Sequence, residues 1–272
     1  ALISSKKNIR LFLDIRDIFV DTIGDLFKGF KGRIVVAIFS KIEKYTINRA
    51  QFLNVVSEGF INYFKKKYPL VKPVFFPNGI DDIFINTDFS IAKTHSRTIL
   101  YAGNIGFGQG LQHIIPKMAQ NLDRRWNIKI VGDGGNKIEL IKEVKKLNLR
   151  NVTIVDPVIR NELIELYKSS EVLFLHLNQN QAFEKVLPSK IFEYGATGKP
   201  ILAGVSGYAK KFIDREITNS KTFEPCNYDD AINSLYKLKL EFTDRDKFKK
   251  KYARDILSQG FAEEILGSLN NV

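Results

Sequence analysis

From Thr98 onward the chain repeats one pattern: a short apolar run, a turn that often carries glycine, then a stretch with apolar residues three and four apart. The runs predict strands at 98–102, 127–131, 152–155, 171–175, 200–203 and 221–223. Strands alternating with helical stretches predict a parallel, doubly wound sheet. Pro116 falls within the first of these helices and predicts a kink or a late start. Further helices are predicted over 228–239 and 244–268. Before Thr98 the alternation is looser. It gives a strand at 9–15, a loop or short helix at 21–28, and a helix over 33–50. A strand at 54–56, a helix over 58–67 capped by Ser57, and a strand at 71–76 follow. Residues 81–97 are polar and aperiodic, and read as a linker.

The helix over 33–50 places Val35, Ile38, Phe39, Ile42 and Tyr45 on one face, with Lys28, Lys31, Arg33, Lys41, Lys44 and Arg49 around it. Such a pattern serves a helix lying in a membrane surface or one packed on a sheet with solvated lysines; the packed helix is the expectation. Charge sharpens the contrast between the two parts of the chain. The net charge is +12, and residues 1–72 hold fourteen Lys/Arg against six Asp/Glu, a net of +8. A basic surface of this kind suits anionic lipid. It would suit nucleic acid too, but no nucleic-acid-binding motif accompanies it. One cysteine, Cys226, excludes an internal disulfide and fits a reducing compartment. The longest strictly apolar run near the start, Ile34 to Phe39, is far short of a membrane span.

The segment Phe183 to Gly204, FEKVLPSKIFEYGATGKPILAG, carries the most chemistry. Pro188-Ser189 reads as a helix start with Ser189 as N-cap. Lys190, Glu193 and Tyr194 then share one turn. A helix N-terminus favours a phosphate, and a carboxylate one turn in accepts hydrogen bonds from sugar hydroxyls. Together they suggest a nucleotide-sugar site.

Here the sequence resembles the GT-B glycosyltransferases, in particular the retaining family 4 group of bacterial surface-polysaccharide assembly. Three other stretches agree in order. Phe12-Leu-Asp-Ile-Arg-Asp-Ile-Phe resembles the strand end late in the family's first domain. Val56-Ser-Glu-Gly-Phe and Phe76-Pro-Asn-Gly-Ile-Asp resemble its approach to the domain boundary. Tyr101-Ala-Gly-Asn-Ile-Gly and Val131-Gly-Asp-Gly resemble the first strand ends of its donor domain. The resemblance implies an α/β fold of GT-B type, two Rossmann-like domains with parallel sheets, the N-terminal one incomplete in this chain. Residues 1–90 would be the later part of the acceptor-side domain with the linker. Residues 91–243 would bind the nucleotide-sugar, and 244–272 would form a helix crossing back. The early strands of the first domain are expected to be missing, as in a fragment or a shortened protein.

Ligands of α/β sheets sit outside the carboxyl ends of the strands, which makes donor-binding candidates of Gly103, Asn104, Gly106 and Gly108 after the first strand of the second domain. Gly132 follows the next strand, and Val158 and Ile159 the third. The glycines allow close approach to a diphosphate, though a tight turn would use them equally. The family holds the diphosphate with an arginine and a lysine near this region, where the chain has Asn104 and Gln109. The role therefore moves to Lys190, with Arg160 as a second candidate; each is otherwise a solvated surface charge. By resemblance Glu193 would bind the ribose hydroxyls, with Ser189 beside it. The family's earlier glutamate falls on Lys185, so Glu184, one place before, would stand near the donor sugar or be an ordinary surface carboxylate. Lys190 and Glu184 are thus the catalytic candidates. Asp133 reads as turn chemistry, Asn161 as a helix cap and His176 as a hydrogen-bonded core histidine. Asp244 and Asp246 read as capping and dipole chemistry, not as metal ligands.

No metal or cofactor is implied. His95, His113 and His176 lack ligand spacing, and the resemblance itself implies neither metal nor a free nucleophile. It implies transfer from a UDP-sugar, with retention, to a lipid-linked glycan or polysaccharide precursor. The work would be done by a cytoplasmic protein peripheral to the inner face of the cytoplasmic membrane. Two alternatives stand beside it: a UDP-sugar 2-epimerase of the same fold, and a non-catalytic nucleotide-sugar-binding or membrane-docking partner of another subunit.

Overall fold

The structure, a computed structural model, describes residues 1–26, 29–90 and 97–270. Phe27 and Lys28 of the expected segment 21–28, and residues 91–96 of the expected linker, lie outside it. The elements run α1 (Leu2–Lys7), β1 (Phe12–Ile15), α2 (Phe19–Leu26), α3 (Phe30–Ile47), β2 (Phe52–Val55), α4 (Ile61–Lys67), β3 (Pro73–Phe75) and α5 (Asp82–Ile85). The second part continues with β4 (Arg97–Ala102), α6 (Leu111–Asn121), β5 (Trp126–Val131), α7 (Lys137–Lys146), β6 (Val152–Val155), α8 (Arg160–Lys168) and β7 (Val172–His176). It closes with α9 (Lys190–Ala196), β8 (Ile201–Gly204), α10 (Gly207–Glu216), β9 (Ser220–Phe223), α11 (Tyr228–Leu235), α12 (Asp246–Tyr252) and α13 (Arg254–Asn270).

Two parallel sheets result. The first has the order β1-β2-β3 and the second β6-β5-β4-β7-β8-β9. In the second, alternate residues of each strand feed opposite faces. Leu100, Leu173, Leu175, Ile201 and Ala203 pack with Tyr167, Phe192, Phe212 and Tyr252 of α8, α9, α10 and α12. Ile99, Tyr101, Val172, Phe174 and Leu202 pack with Leu111, Ile115, Met118 and Leu235 of α6 and α11. Covering both faces is what a parallel sheet requires. The order reverses between β4 and β7, the place where such sheets open a crevice.

Three expectations change. Helix α6 starts at Leu111, so of the kink or late start expected at Pro116 there is no late start: the proline sits buried within the helix. The stretch 244–268 is two helices, because Ala253 between them is extended and pairs with Ile80. Ile80 N–H donates to Tyr252 O at 2.7 Å and Arg254 N–H to Ile80 O at 3.0 Å. Helix α13 then crosses to the first sheet, where Phe261 lies 5.7 Å from the Phe52 ring and 5.4 Å from that of Phe76.

The third change concerns α3. It does not pack through the predicted apolar face. Ile47 is buried, Phe39 meets Phe19 at 4.9 Å, and Glu43 turns inward to accept from Tyr63 Oη at 2.9 Å, Lys67 Nζ at 2.6 Å and Tyr68 Oη at 2.6 Å. With that polar residue inward, Ile38, Ile42 and Tyr45 point out and are 52, 52 and 40% exposed, and Phe30 and Ile34 join them at 77 and 47%.

Candidate functional site

At the carboxyl ends of β4, β5 and β6 lies a cavity of ≈ 310 Å³, lined by Gly103, Asn104, Gly132, Asp133, Pro157, Val158, Leu163 and Lys190 among others. Gly132 makes it possible. It has φ +153°, and a Cβ there would collide with the Gly103 carbonyl, so the two strand-end turns touch backbone to backbone only with glycine. Asp133 Oδ1 accepts from Gly134 N–H at 2.9 Å, the expected turn chemistry.

Lys190, the first residue of α9, reaches over the cavity edge to Glu193. Its Nζ donates to Glu193 Oε2 at 2.9 Å, and the same oxygen accepts from Tyr167 Oη at 3.1 Å. Glu193 Oε1 has no hydrogen bond among the described residues. Tyr194 points the other way and is fully buried, its hydroxyl accepting from Ala102 N–H at 3.0 Å. Burial raises both phenols far above their ordinary pKa, so both stay protonated. Tyr167 and Tyr194 meet edge to face at 5.5 Å. The cluster ties α8 and α9 to the end of β4. Sequence spacing suggested Tyr194 only as a neighbour of Glu193, and nothing along the chain links Tyr167 to it.

The remaining candidates scatter. Gly106 and Gly108 belong to the same loop but do not line the cavity; Asn104 Nδ2 and Gly106 N–H both donate to Gln109 Oε1, at 3.0 and 3.3 Å, which closes the loop on itself. Ile159 is exposed outside the cavity. Ser189 is exposed and caps nothing: its backbone is already helical, at φ −58° and ψ −30°, so its hydroxyl is misplaced for the role. Asn161 is no cap either, since α8 begins one residue before it. Ser57 gives its hydroxyl not to the helix that follows but to Lys185 O, at 2.5 Å.

Arg160 points away from the cavity. Its guanidinium donates to Asp81 Oδ2 at 2.8 Å, and Arg254 pairs with the other oxygen of the same carboxylate. Lys185 crosses between the two sheets' halves, with Nζ 2.6 Å from Asp21 Oδ2 and over the Tyr63 ring. Glu184 opens on a second cavity of ≈ 530 Å³ between the halves, with Glu58, Lys65, Tyr208 and Lys211. The loop therefore does not bring Glu184 to the cavity of Lys190. His176 is a core histidine as expected: its Nδ1–H faces Gln109 O at 2.6 Å and its Nε2 accepts from Cys226 N–H at 3.0 Å, with burial lowering its pKa to about 4. Asp246 N–H donates to Asp244 Oδ1 at 2.9 Å, a helix-start turn.

Comparison with known proteins meets this geometry. The family model described as glycosyl transferases group 1 matches residues 84–255. A protein of Escherichia coli (strain K12) that carries the name of a colanic acid biosynthesis glycosyl transferase, WcaI, is 26% identical over 223 residues, which is 77% of this chain and 54% of that protein. The chain thus spans about half the length of this curated relative. Among solved structures, Anabaena Alr3699/HepE in complex with UDP-glucose superposes with TM-score 0.73 at 14% identity, over 98% of this chain and 74% of its own. The apo form of the lipopolysaccharide outer core galactosyltransferase WaaB superposes with TM-score 0.63 at 15% identity, over 82 and 63%. The architecture of this chain is that of the GT-B fold.

Proposed function

The chain belongs to the glycosyl transferases group 1, and from that premise we propose that it takes part in glycosyl transfer from a UDP-sugar, with retention, to a lipid-linked or polysaccharide-precursor acceptor. The observation that carries this reading is Lys190 on the cavity rim, its ammonium with one proton committed to Glu193 one turn on, and that glutamate with one oxygen uncommitted among the described residues. An ammonium has three donors, so two remain for the donor's diphosphate. Charge that develops on that diphosphate as the sugar departs is stabilised by a fixed cation nearby. Glu193 Oε1 would accept from ribose hydroxyls. Pro157, Val158 and Leu163 offer the base an apolar wall. Gly103, Asn104 and Gly132 bring backbone close. Glu184, on the neighbouring cavity, is left to the hydroxyls of the sugar or acceptor.

The named relatives support the reading in kind: one is a complex with UDP-glucose, and two bear names of colanic acid and lipopolysaccharide assembly. The work would be done at the cytoplasmic face of the membrane, and without a metal. The epimerase alternative would need a histidine in the cleft; of the two described histidines, His176 commits both ring nitrogens to backbone and His113 is exposed on α6.

Calorimetry with UDP and no added metal tests the assignment. The parent chain is expected to bind, and Glu193→Ala to bind roughly tenfold to a hundredfold more weakly, the worth of hydrogen bonds to a charged group. Absence of binding by the folded parent overturns the UDP assignment.

A further inference from the structure

We propose that Tyr167 is a positioning residue for the nucleotide: it keeps Glu193 in place when a diphosphate draws Lys190 away. Lys190 Nζ and Tyr167 Oη donate to the same oxygen of Glu193, Oε2, at 2.9 and 3.1 Å. The two donors are unlike. Lys190 carries a charge on a long flexible stem, lines the cavity and has a side chain 25% exposed. A bound diphosphate therefore competes with Glu193 for its ammonium. Tyr167 is neutral and fully buried, and no anion in the cavity calls it elsewhere.

The phenol is held from every side. Its ring lies between Phe84, 5.9 Å away, and Tyr194, 5.5 Å away and edge to face. Burial keeps its hydroxyl protonated, so it remains a donor. The turn of α8 that carries it is fastened as well. Leu166 O accepts from Ser170 Oγ at 2.6 Å, and Lys168 O from Lys199 Nζ at 2.7 Å. Lys199 is itself buried and follows the last residue of α9 by three positions. One lysine thus ties the end of α8 to the chain that leaves α9.

Glu193 must come to this hydroxyl, because the hydroxyl cannot follow it. With Oε2 held there, the carboxylate is confined to one orientation before the ligand arrives, and Oε1 is left for the ribose. Without the hydroxyl, the only partner of Glu193 among the described residues is Lys190. The carboxylate would then follow the ammonium toward the phosphates, where its charge opposes theirs, and leave the ribose unpaired. This inference rests on the UDP-sugar reading above and adds to it the residue that keeps the two roles of the pair apart.

The test is calorimetry of the full chain with UDP and with its dideoxyribose analogue, which lacks both ribose hydroxyls. The parent is expected to bind UDP about tenfold or more tightly than the analogue. Tyr167→Phe keeps every ring contact, and thermal unfolding checks that it folds. Its affinity for UDP is expected to fall about fivefold to tenfold, while its affinity for the analogue stays within about twofold of the parent's. In a Glu193→Ala background the same substitution should leave UDP affinity alone, since the hydroxyl acts through that carboxylate. Absence of UDP binding by the parent overturns the UDP-sugar reading and this inference together. A parent that prefers UDP and a Tyr167→Phe variant that keeps the preference overturn this inference alone. So does an equal loss for both ligands, or a further loss in the Glu193→Ala background, for either would make the hydroxyl a matter of packing.

Discussion

A histidine at a strand end beside a cavity invites a catalytic role, and the two ring nitrogens of His176 rule it out. Both are committed to backbone, which fixes the neutral ring with the proton on Nδ1. Its folded pKa, about 4, lies below the ordinary 6.5. The unfolded chain therefore takes up a proton first as pH falls. The contribution of His176 is complete above pH 6.5 and disappears as pH drops toward 4, a loss of up to about 3 kcal/mol. Urea unfolding measured across that range should show it, and His176→Phe, though less stable throughout, should lack this part of the slope. An unchanged slope in the variant would contradict the assignment. What could be read from the sequence was placement that is local: Asp133 in its turn, and Lys190 and Glu193 one helical turn apart. The pairing of Arg160 could not be read there, because its partner, Asp81, lies 79 positions away and nothing in the local pattern announces it.

At the scale of elements, periodicity located the strands to within a residue or two in the second sheet, since each alternates between two buried faces. It failed on α3, where one inward glutamate reversed the choice of face. It also could not show how β4 ends. Ladder pairing between β4 and β7 covers Ile99 and Leu100, and the next inward N–H toward that side, from Ala102, is taken by Tyr194 Oη. A side chain thus finishes what a strand begins, just where Gly103 and Asn104 enter the cavity. Tyr194→Phe leaves that N–H unpaired and should cost about 1–3 kcal/mol. It should also weaken UDP binding, because the loop loses its anchor. Ile115→Val removes a methyl from the opposite core at about 1 kcal/mol and is expected to leave UDP affinity alone. Equal affinities in the two variants would make Tyr194 a packing residue only.

On the scale of the whole molecule, the halves are held by contacts that no local pattern reveals. Lys185 stands where the family resemblance calls for a glutamate, and it bonds Asp21 across the junction. Asp81 carries Arg160 from α8 on one oxygen and Arg254 from α13 on the other. Both guanidinium groups are about half exposed while the carboxylate is largely buried. Asp81→Ala is therefore expected to lower stability by about 1–2 kcal/mol, and by less in high salt. Thermal unfolding at two ionic strengths checks both statements.

The pairing of Ile80 with Ala253 joins the two passages of the chain between the halves, and Asp81 with Arg254 fastens them a residue further on. Two ropes lashed together at one point act as a pivot. A swing of one half against the other would turn about Ile80 and Ala253, and it would have to part the contacts on the far side of the junction, where Ser57 and Asp21 bond Lys185 and Glu58 bonds Tyr208.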